Sequence, residues 1–363
     1  MTFIKKFFLF LNLIAAVCLL AGGSCIYLNP AQWWFISFFG LAYPFFLAIN
    51  LLFLVFWIIL KLKNALIPAI SILLTLPVLR TYFAFNSTKQ KSDVAATTIK
   101  ILSYNVRNFD VYHWGKENND LESIIQLIKE EKPAIACFQE FYNADTGKYK
   151  TIEQVKKKAG FSSFYFEKTF TGRGGQHWGT AIFSRYPIIN HGNIQFDNKT
   201  QNSCSYADIQ IDSIVVRVFN IHLQSIYLSK EDYNYLEEIS EQQDVQVVPI
   251  RKIASKVKRA FILRSEQALD IDMEIKKSDG HIIVCGDFND TPASFAYHTL
   301  SNQLQDAFLK AGWGMGPTYA GLLQPYRIDY IFTGDNFELR NYRTIRKTYS
   351  DHYAITCEAE IKN

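Results

Sequence analysis

Two clusters near the C-terminal end of the chain hold residue types suited to chemistry at phosphorus. Gly286-Asp287-Phe288-Asn289-Asp290 follows the apolar run His281–Cys285, and Ser350-Asp351-His352 precedes the apolar run Tyr353–Cys357. Each run reads as a buried strand, so the polar residues stand at strand ends. One cluster offers carboxylates and a carboxamide, the other a carboxylate beside an imidazole. Such groups, gathered at strand ends, are what metal-assisted attack on a phosphate ester needs.

Four more polar islands abut strand-like runs: Ser103–Arg107, Phe138-Gln139-Glu140, Asn220–Leu223 and Arg327–Ile331. A lone acid at a strand end is usually a turn residue or a cap. Six such islands in one chain are much harder to explain as turns.

The elements that must position them belong to a chain of two unlike parts. Residues 1–86 contain no acidic residue and five basic ones, Lys5, Lys6, Lys61, Lys63 and Arg80. The remainder carries 33 basic against 34 acidic residues, a net charge of −1 within the overall +4. Three apolar stretches, 7–28, 33–60 and 65–85, each approach or exceed the roughly 20 residues that cross a bilayer. The third contains Pro68, Pro77 and Arg80, so it reads either as a span or as an interfacial or re-entrant segment. Trp33, Trp34 and Trp57 lie near the ends of the second, as interfacial aromatics do. The lysines fit a cytoplasmic side, which predicts an integral membrane protein with its catalytic domain on the extracytoplasmic side. The first stretch could instead be a cleaved signal segment with Ala21–Ser24 as its small-residue site, which would leave that side unchanged.

A polar linker, 87–98, leads to a domain spanning 99–363, long enough for one sizeable core. Strand-like and helical periodicities mix along it, predicting two packed sheets flanked by helices. Cys137, Cys204, Cys285 and Cys357 show no closely spaced pair, which argues against zinc, and three of them sit in apolar runs as buried thiols.

From Ile99 to Ile361 the sequence resembles the endonuclease/exonuclease/phosphatase superfamily, the fold of DNase I-like nucleases, inositol polyphosphate 5-phosphatases and neutral sphingomyelinases. The Gly-Asp-Phe-Asn and Ser-Asp-His motifs carry the resemblance, supported by the order and spacing of the other islands. It implies an α/β fold, a four-layer α/β sandwich of the DNase I-like kind, here preceded by N-terminal transmembrane helices. It also implies roles. Glu140 would be the main metal ligand, with Asn105 and Asp351 contributing to the metal site. Oxygen ligands point to Mg²⁺, with Mn²⁺ as a substitute. Asp287 would orient or deprotonate the attacking water, and Asn289 would hydrogen-bond the phosphoryl oxygen. His352 would contact the phosphate with Asp329 orienting it, and His222 would bind phosphate or protonate the leaving oxygen.

Weaker candidates flank this set. The Gly172–His177 segment reads as a flexible turn or as a substrate-facing loop in which Arg173 or His177 touches phosphate or head group. Arg185 is either a structural charge partner or a phosphate contact. The basic stripe from Arg251 to Arg264 reads as a solvated helix face or as a surface for anionic lipid or nucleic acid. Trp313–Tyr319 is either a pocket rim or a plain connection.

The reading that unites these residues is a membrane-anchored, Mg²⁺-dependent phosphoesterase acting on a phosphate ester, with a phosphodiester or lipid-like substrate favoured. A DNA or RNA nuclease is the alternative, and a net charge of −1 counts modestly against tight binding to a duplex. A catalytically silent membrane-bound binding domain is a further alternative, with little use for so complete an acid–base set.

Overall fold

The computed structural model describes residues 3–86, 97–112, 120–196, 200–240, 247–321 and 326–362. Most of the 87–98 linker lies outside them. The helices are α1 (Phe3–Ser24), α2 (Pro30–Leu41), α3 (Tyr43–Leu60), α4 (Leu62–Leu74), α5 (Leu76–Tyr82), α6 (Asp120–Glu131), α7 (Thr151–Ala159), α8 (Lys230–Ser240), α9 (Val247–Lys276), α10 (Phe295–Ser301) and α11 (Ala307–Ala311). The strands are β1 (Ala84–Phe85), β2 (Thr98–Asn105), β3 (Ile135–Ala144), β4 (Ser163–Thr171), β5 (Gln176–Ser184), β6 (Ile188–Ile194) and β7 (Ser203–Ile211). They continue as β8 (Ile214–His222), β9 (His281–Asp287), β10 (Gln305–Asp306), β11 (Trp313–Gly314), β12 (Asp329–Thr333), β13 (Phe337–Ile345) and β14 (Ala354–Ile361).

These elements form two compact units. One comprises Met1–Arg80, Gln224–Ala268 and Thr291–Thr299; the other comprises Thr81–Leu223, Leu269–Asp290 and Leu300–Asn363.

In the helical unit, α1 and α3 are long and apolar enough to cross a membrane, while α4 and α5 form a pair bent by 65°. The expected single helix over 33–60 is not formed. The chain breaks at Ala42, because Pro44 in the first turn of α3 lacks an N–H and its ring would clash with the preceding turn. The expected third helix breaks at Thr75, just before Pro77. A polar seam joins α1, α3 and α4. Asn50 donates to the Ala15 carbonyl at 2.9 Å, the Ser71 hydroxyl donates to Asn50 Oδ1 at 3.4 Å, and Trp57 Nε1 donates to Asn12 Oδ1 at 3.1 Å. Such bonds hold helices together where lipid offers no hydrophobic drive. Of the basic stripe, Lys256 is paired with the buried Asp232, Lys258 lies over the Trp34 ring and Arg264 is buried. Arg251, Lys252 and Arg259 remain exposed.

The second unit holds two six-stranded sheets, ordered β13-β14-β2-β3-β5-β4 and β10-β12-β9-β8-β7-β6. Strict alternation along the strands explains their packing. Ile99 and Ile101 of β2 and Ile135 and Cys137 of β3 face the interior with Val216 and Val218 of β8 and Ile283 and Cys285 of β9. The alternate residues Leu102, Tyr104, Ala136 and Phe138 face outward to Ile124, Ile125 and Ile128 of α6 and Val155 of α7. Beyond the other sheet, Arg217 of β8 reaches Ser278, just past α9. All described cysteines are free.

Each sheet has one parallel pair, β2–β3 and β8–β9, and the remaining pairs are antiparallel. Parallel neighbours end on the same side. Asn105 therefore lies beside Gln139, and His222 beside Asp287, while antiparallel β12 starts there and sets Asp329 opposite Asp287.

Candidate active site

The strand ends converge on Asp287. Its Oδ2 accepts from Asn105 Nδ2 at 2.9 Å and from Asn289 Nδ2 at 3.1 Å, and its Oδ1 accepts from the Asn289 backbone N–H at 2.8 Å. Two imidazoles flank the same Oδ2, His352 Nε2 at 3.7 Å and His222 Nε2 at 3.8 Å. Asp287 and Asp329 are each about 1% exposed at the side chain. Burial at that level is costly for a carboxylate unless cations and donors surround it.

Behind His352, Asp329 holds Nδ1 with both oxygens, at 3.1 and 3.0 Å. This fixes the ring so that Nε2 points toward Asp287. Asp329 is itself pinned, since Thr318 Oγ1 accepts from the Ile328 and Asp329 backbone N–H groups at 2.9 and 3.0 Å.

Glu140 reaches the cluster through a backbone irregularity. The β3–β5 register shifts between Phe138 and Phe141, and Glu140 takes a φ of +48°. A bulge of this kind re-aims a side chain that would otherwise follow the pleat. Glu140 Oε1 accepts from Asn105 at 3.2 Å and lies 3.8 Å from His222 Nε2. Asp351 stands 3.7 Å from Arg107 Nε. Ser350 links this corner to β2 by donating to the Asn105 carbonyl at 2.8 Å.

The charges separate in a useful way. Burial alone would depress the pKa of His352, but the Asp329 and Asp287 carboxylates outweigh it and hold the ring well above the ordinary histidine range. Burial lowers that of His222, with His352 adding to the effect against Asp287. Burial pushes Asp287 up to about 6, with His352 opposing. The shifts run in opposite directions: His352 is favoured as the imidazolium, His222 as the neutral imidazole, and Asp287 is made a stronger base than an ordinary carboxylate. Pairs pushed apart in this way mark acid and base roles.

The donor set also fits a divalent cation. Glu140 and Asp351 each keep 32% of the side chain accessible. Burial raises the Glu140 pKa and the Asp351 carboxylate raises it further, against the opposing charges of His352 and Arg107. Open carboxylate oxygens suit a hard cation. Asn105 turns its amide oxygen to the Arg107 N–H at 3.1 Å and spends its NH₂ on Glu140 and Asp287, so it orients these carboxylates. A buried group of Asp287, Asp329 and His352 also has ligand atoms within 4.8 Å of one another. Its oxygens and Nδ1 are already bound to one another and to amides, as a proton-handling set requires.

The structure therefore brings together Asn105, Glu140, His222, Asp287, Asn289, Asp329, Asp351 and His352. It does not add the three outer candidates by direct contact. Arg173 is exposed on the turn between β4 and β5. His177 is buried with Nδ1 on the Thr171 hydroxyl at 3.1 Å and Nε2 on Asp145 at 3.2 Å. Arg185 lies at the far end of β3 from Glu140, because antiparallel β5 sets Ser184 opposite Ile135. Its guanidinium donates to the carbonyls of Pro133 and Ala159.

Two buried amides contribute where no role had been read. Asn220 donates to the carbonyls of Phe138 and Ala181, each at 3.0 Å, and accepts from Gln139 at 2.7 Å. They tie the two sheets together directly below Glu140 and His222. Their signal in the sequence is only nearness to site candidates: Gln139 adjoins Glu140, and Asn220 stands two residues before His222.

Comparison with known proteins accords with this geometry. The model of the Endonuclease/Exonuclease/phosphatase family matches residues 102–352, and the chain belongs to that family. Residues 5–82 match a separate domain of unknown function. No curated protein matches the chain. Among solved structures, a Bacteroides thetaiotaomicron protein of the same family aligns with 18% identity and a TM-score of 0.53, covering 74% of this chain and all of that one. A Beutenbergia cavernae member aligns with 15% identity and a TM-score of 0.54, covering 73% and 72%. A Bacteroides thetaiotaomicron mannosyl-6-phosphatase aligns with 18% identity and a TM-score of 0.51, covering 72% and 99%. Like its family, the chain is a hydrolase of phosphate ester bonds.

Proposed function

We propose that the chain is a membrane-anchored, Mg²⁺-dependent phosphoesterase in which water attacks phosphorus in line with the leaving oxygen. The observation that carries this reading is the Asp287 carboxylate, buried between two imidazoles and backed by the His352–Asp329 pair. Asp287 accepts the proton of the attacking water. Cationic His352 and the Asn289 amide receive the charge that grows on the phosphoryl oxygens. His222, favoured as the neutral imidazole, binds phosphate beside the leaving oxygen through its ring N–H, and the departing oxygen takes up its proton from solvent. Glu140, oriented by Asn105, and Asp351 would hold Mg²⁺ or Mn²⁺, which would supply charge neutralisation at the phosphate when bound.

The apolar helices support a membrane location, and a phosphodiester or lipid-like ester is the substrate class this favours. The lysines before α1 and between α3 and α4 support a catalytic unit on the extracytoplasmic side. The test is a substrate panel with the full chain: duplex DNA, a phosphodiester lipid, a phosphomonoester and bis(4-nitrophenyl) phosphate, each with Mg²⁺ and with EDTA. Hydrolysis that EDTA abolishes and Mg²⁺ restores is expected. Turnover that survives EDTA would overturn the metal mechanism, and preference for DNA would overturn the substrate class.

A further inference from the structure

The catalytic unit carries an aromatic ribbon that the reaction does not use. Strands β1 and β11 pair antiparallel, with Ala84 opposite Gly314 and Phe85 opposite Trp313. Phe85 is 73% exposed, Trp313 71% and Met315 38%. The two rings meet edge to face with centroids 6.0 Å apart. Single exposed apolar residues are ordinary, but a rigid patch of large ones marks an interaction surface.

Its position in the chain says what it faces. Phe83 follows directly on Tyr82, the last residue of α5, so the ribbon emerges where the apolar segment ends. Aromatic residues at that level belong to the bilayer interface. The ribbon is tied down within its own unit. Arg327 donates to the carbonyl of Thr81 in α5 and to Asp306 Oδ2, both at 2.7 Å, and its side chain is only 2% exposed. Arg327 stands two residues before Asp329. Asn86 adds bonds to the carbonyls of Leu309 at 2.8 Å and Gly312 at 3.2 Å.

The same ribbon leads to the reacting groups. From Trp313 the chain runs through Gly314 and Gly316, both at positive φ, to Tyr319. Tyr319 forms a backbone bridge with His352, and its ring lies 5.4 Å from the imidazole. One short loop thus joins the ribbon to the residue that packs on His352.

We propose that Phe85, Trp313 and Met315 form a ledge seated in the interfacial zone of the bilayer. Tyr319 then guides a lipid-borne phosphate to His352, so the ledge selects substrates presented from a membrane over soluble ones. This rests on the membrane-anchored hydrolase reading, and two readouts separate the two.

The first readout needs no turnover. The full chain carrying Phe85→Cys, labelled with an environment-sensitive fluorophore, is placed in phosphatidylcholine vesicles. Quenching by lipids with a nitroxide near the head group is expected, with protection from aqueous iodide. An Arg173→Cys label should behave in the opposite way. Absence of lipid quenching at position 85 would overturn the ledge: with iodide quenching the position lies in water, and with iodide protection a second copy of the chain covers it. The second readout is the ratio of turnover on a vesicle-borne phosphodiester lipid to that on bis(4-nitrophenyl) phosphate. Trp313→Glu should lower that ratio about tenfold, the cost of placing a charge at an interfacial aromatic position. An unchanged ratio would refute the selectivity. A wild-type protein inactive on both substrates would instead sink the hydrolase reading, and the quenching result would still decide the ledge.

Discussion

At the residue scale, burial and partners far apart in the chain set the protonation preferences of the proposed reacting groups. Asp287 and His352 are separated by 65 positions, and only the fold brings Nε2 to within 3.7 Å of Oδ2. The pairing of His352 with Asp329, expected from the family resemblance, is present at hydrogen-bond distance. Asp287 supports a prediction of definite sign. Its pKa is raised to about 6 from an ordinary 3.8, so the folded chain binds that proton more tightly than the unfolded chain does. The associated stability is fully present below about pH 4 and is lost as pH rises through about 6. Asp287→Asn, which cannot ionise, should therefore stabilise the metal-free protein at pH 8 by on the order of 1–3 kcal/mol. It should give no gain at pH 4. The same substitution should lower kcat by at least ~10²-fold, as loss of a general base does. Thermal unfolding in EDTA at the two pH values, beside kinetics in Mg²⁺, checks both. A variant less stable than wild type at pH 8 would show that this carboxylate is not strained by burial.

At the element scale, the strands and their order were legible because alternation and apolar runs are local signals. Departures from regular geometry were not. Nothing in Phe138-Gln139-Glu140-Phe141 marks a bulge, since no glycine stands there, yet the positive φ at Glu140 is what aims its carboxylate. Arg185 looked available to phosphate because it closes a strand, but strand direction decides which end of the sheet it reaches. The apolar run over 33–60 looked like one helix because composition does not register a break at Pro44. Gly286, by contrast, is a sequence signal with a measurable reason. Its φ is +144°, and a Cβ there would sit 1.9 Å from the Ile221 carbonyl oxygen of the parallel neighbour β8. Gly286→Ala should thus force β8 and β9 apart and shift both His222 and Asp287. The expected loss is roughly 3 kcal/mol or more, in the range reserved for named structural faults. Gly280→Ala separates the causes. It shares a positive φ, +86°, but has no atom within 4 Å of the added carbon, so it should cost only about 1 kcal/mol. Comparable melting temperatures for the two variants would contradict the clash.

At the scale of the whole molecule, charge and hydropathy divide the chain before any motif is considered, and the structure redraws that division. The helical unit takes in Gln224–Ala268 and Thr291–Thr299 as well as the N-terminal helices. These segments begin two residues after His222 and two residues after Asn289. No local pattern announces this, because membership in a compact unit is a property of long-range packing. Within the N-terminal part, Asn12, Asn50 and Ser71 are buried between apolar helices, where unpaired polar groups would be costly in lipid, and they are bonded across α1, α3 and α4. That seam supports three segments packed as one bundle. With α4 and α5 counted as one bent crossing, an odd number of passes separates Lys5 and Lys6 from the catalytic unit. Lys61 and Lys63 then share the lysine side. Alkaline phosphatase, which is active only outside the cytoplasm, should accordingly work when fused after Asn363 and fail when fused after Lys63. A green fluorescent protein should show the reverse. Carbonate washing should leave the chain in the membrane fraction. Phosphatase activity at Lys63 together with fluorescence at Asn363 would invert the orientation. Fluorescence at both positions would mean that the bent pair enters and leaves on the same side, placing the phosphoesterase and its substrate in the cytoplasm.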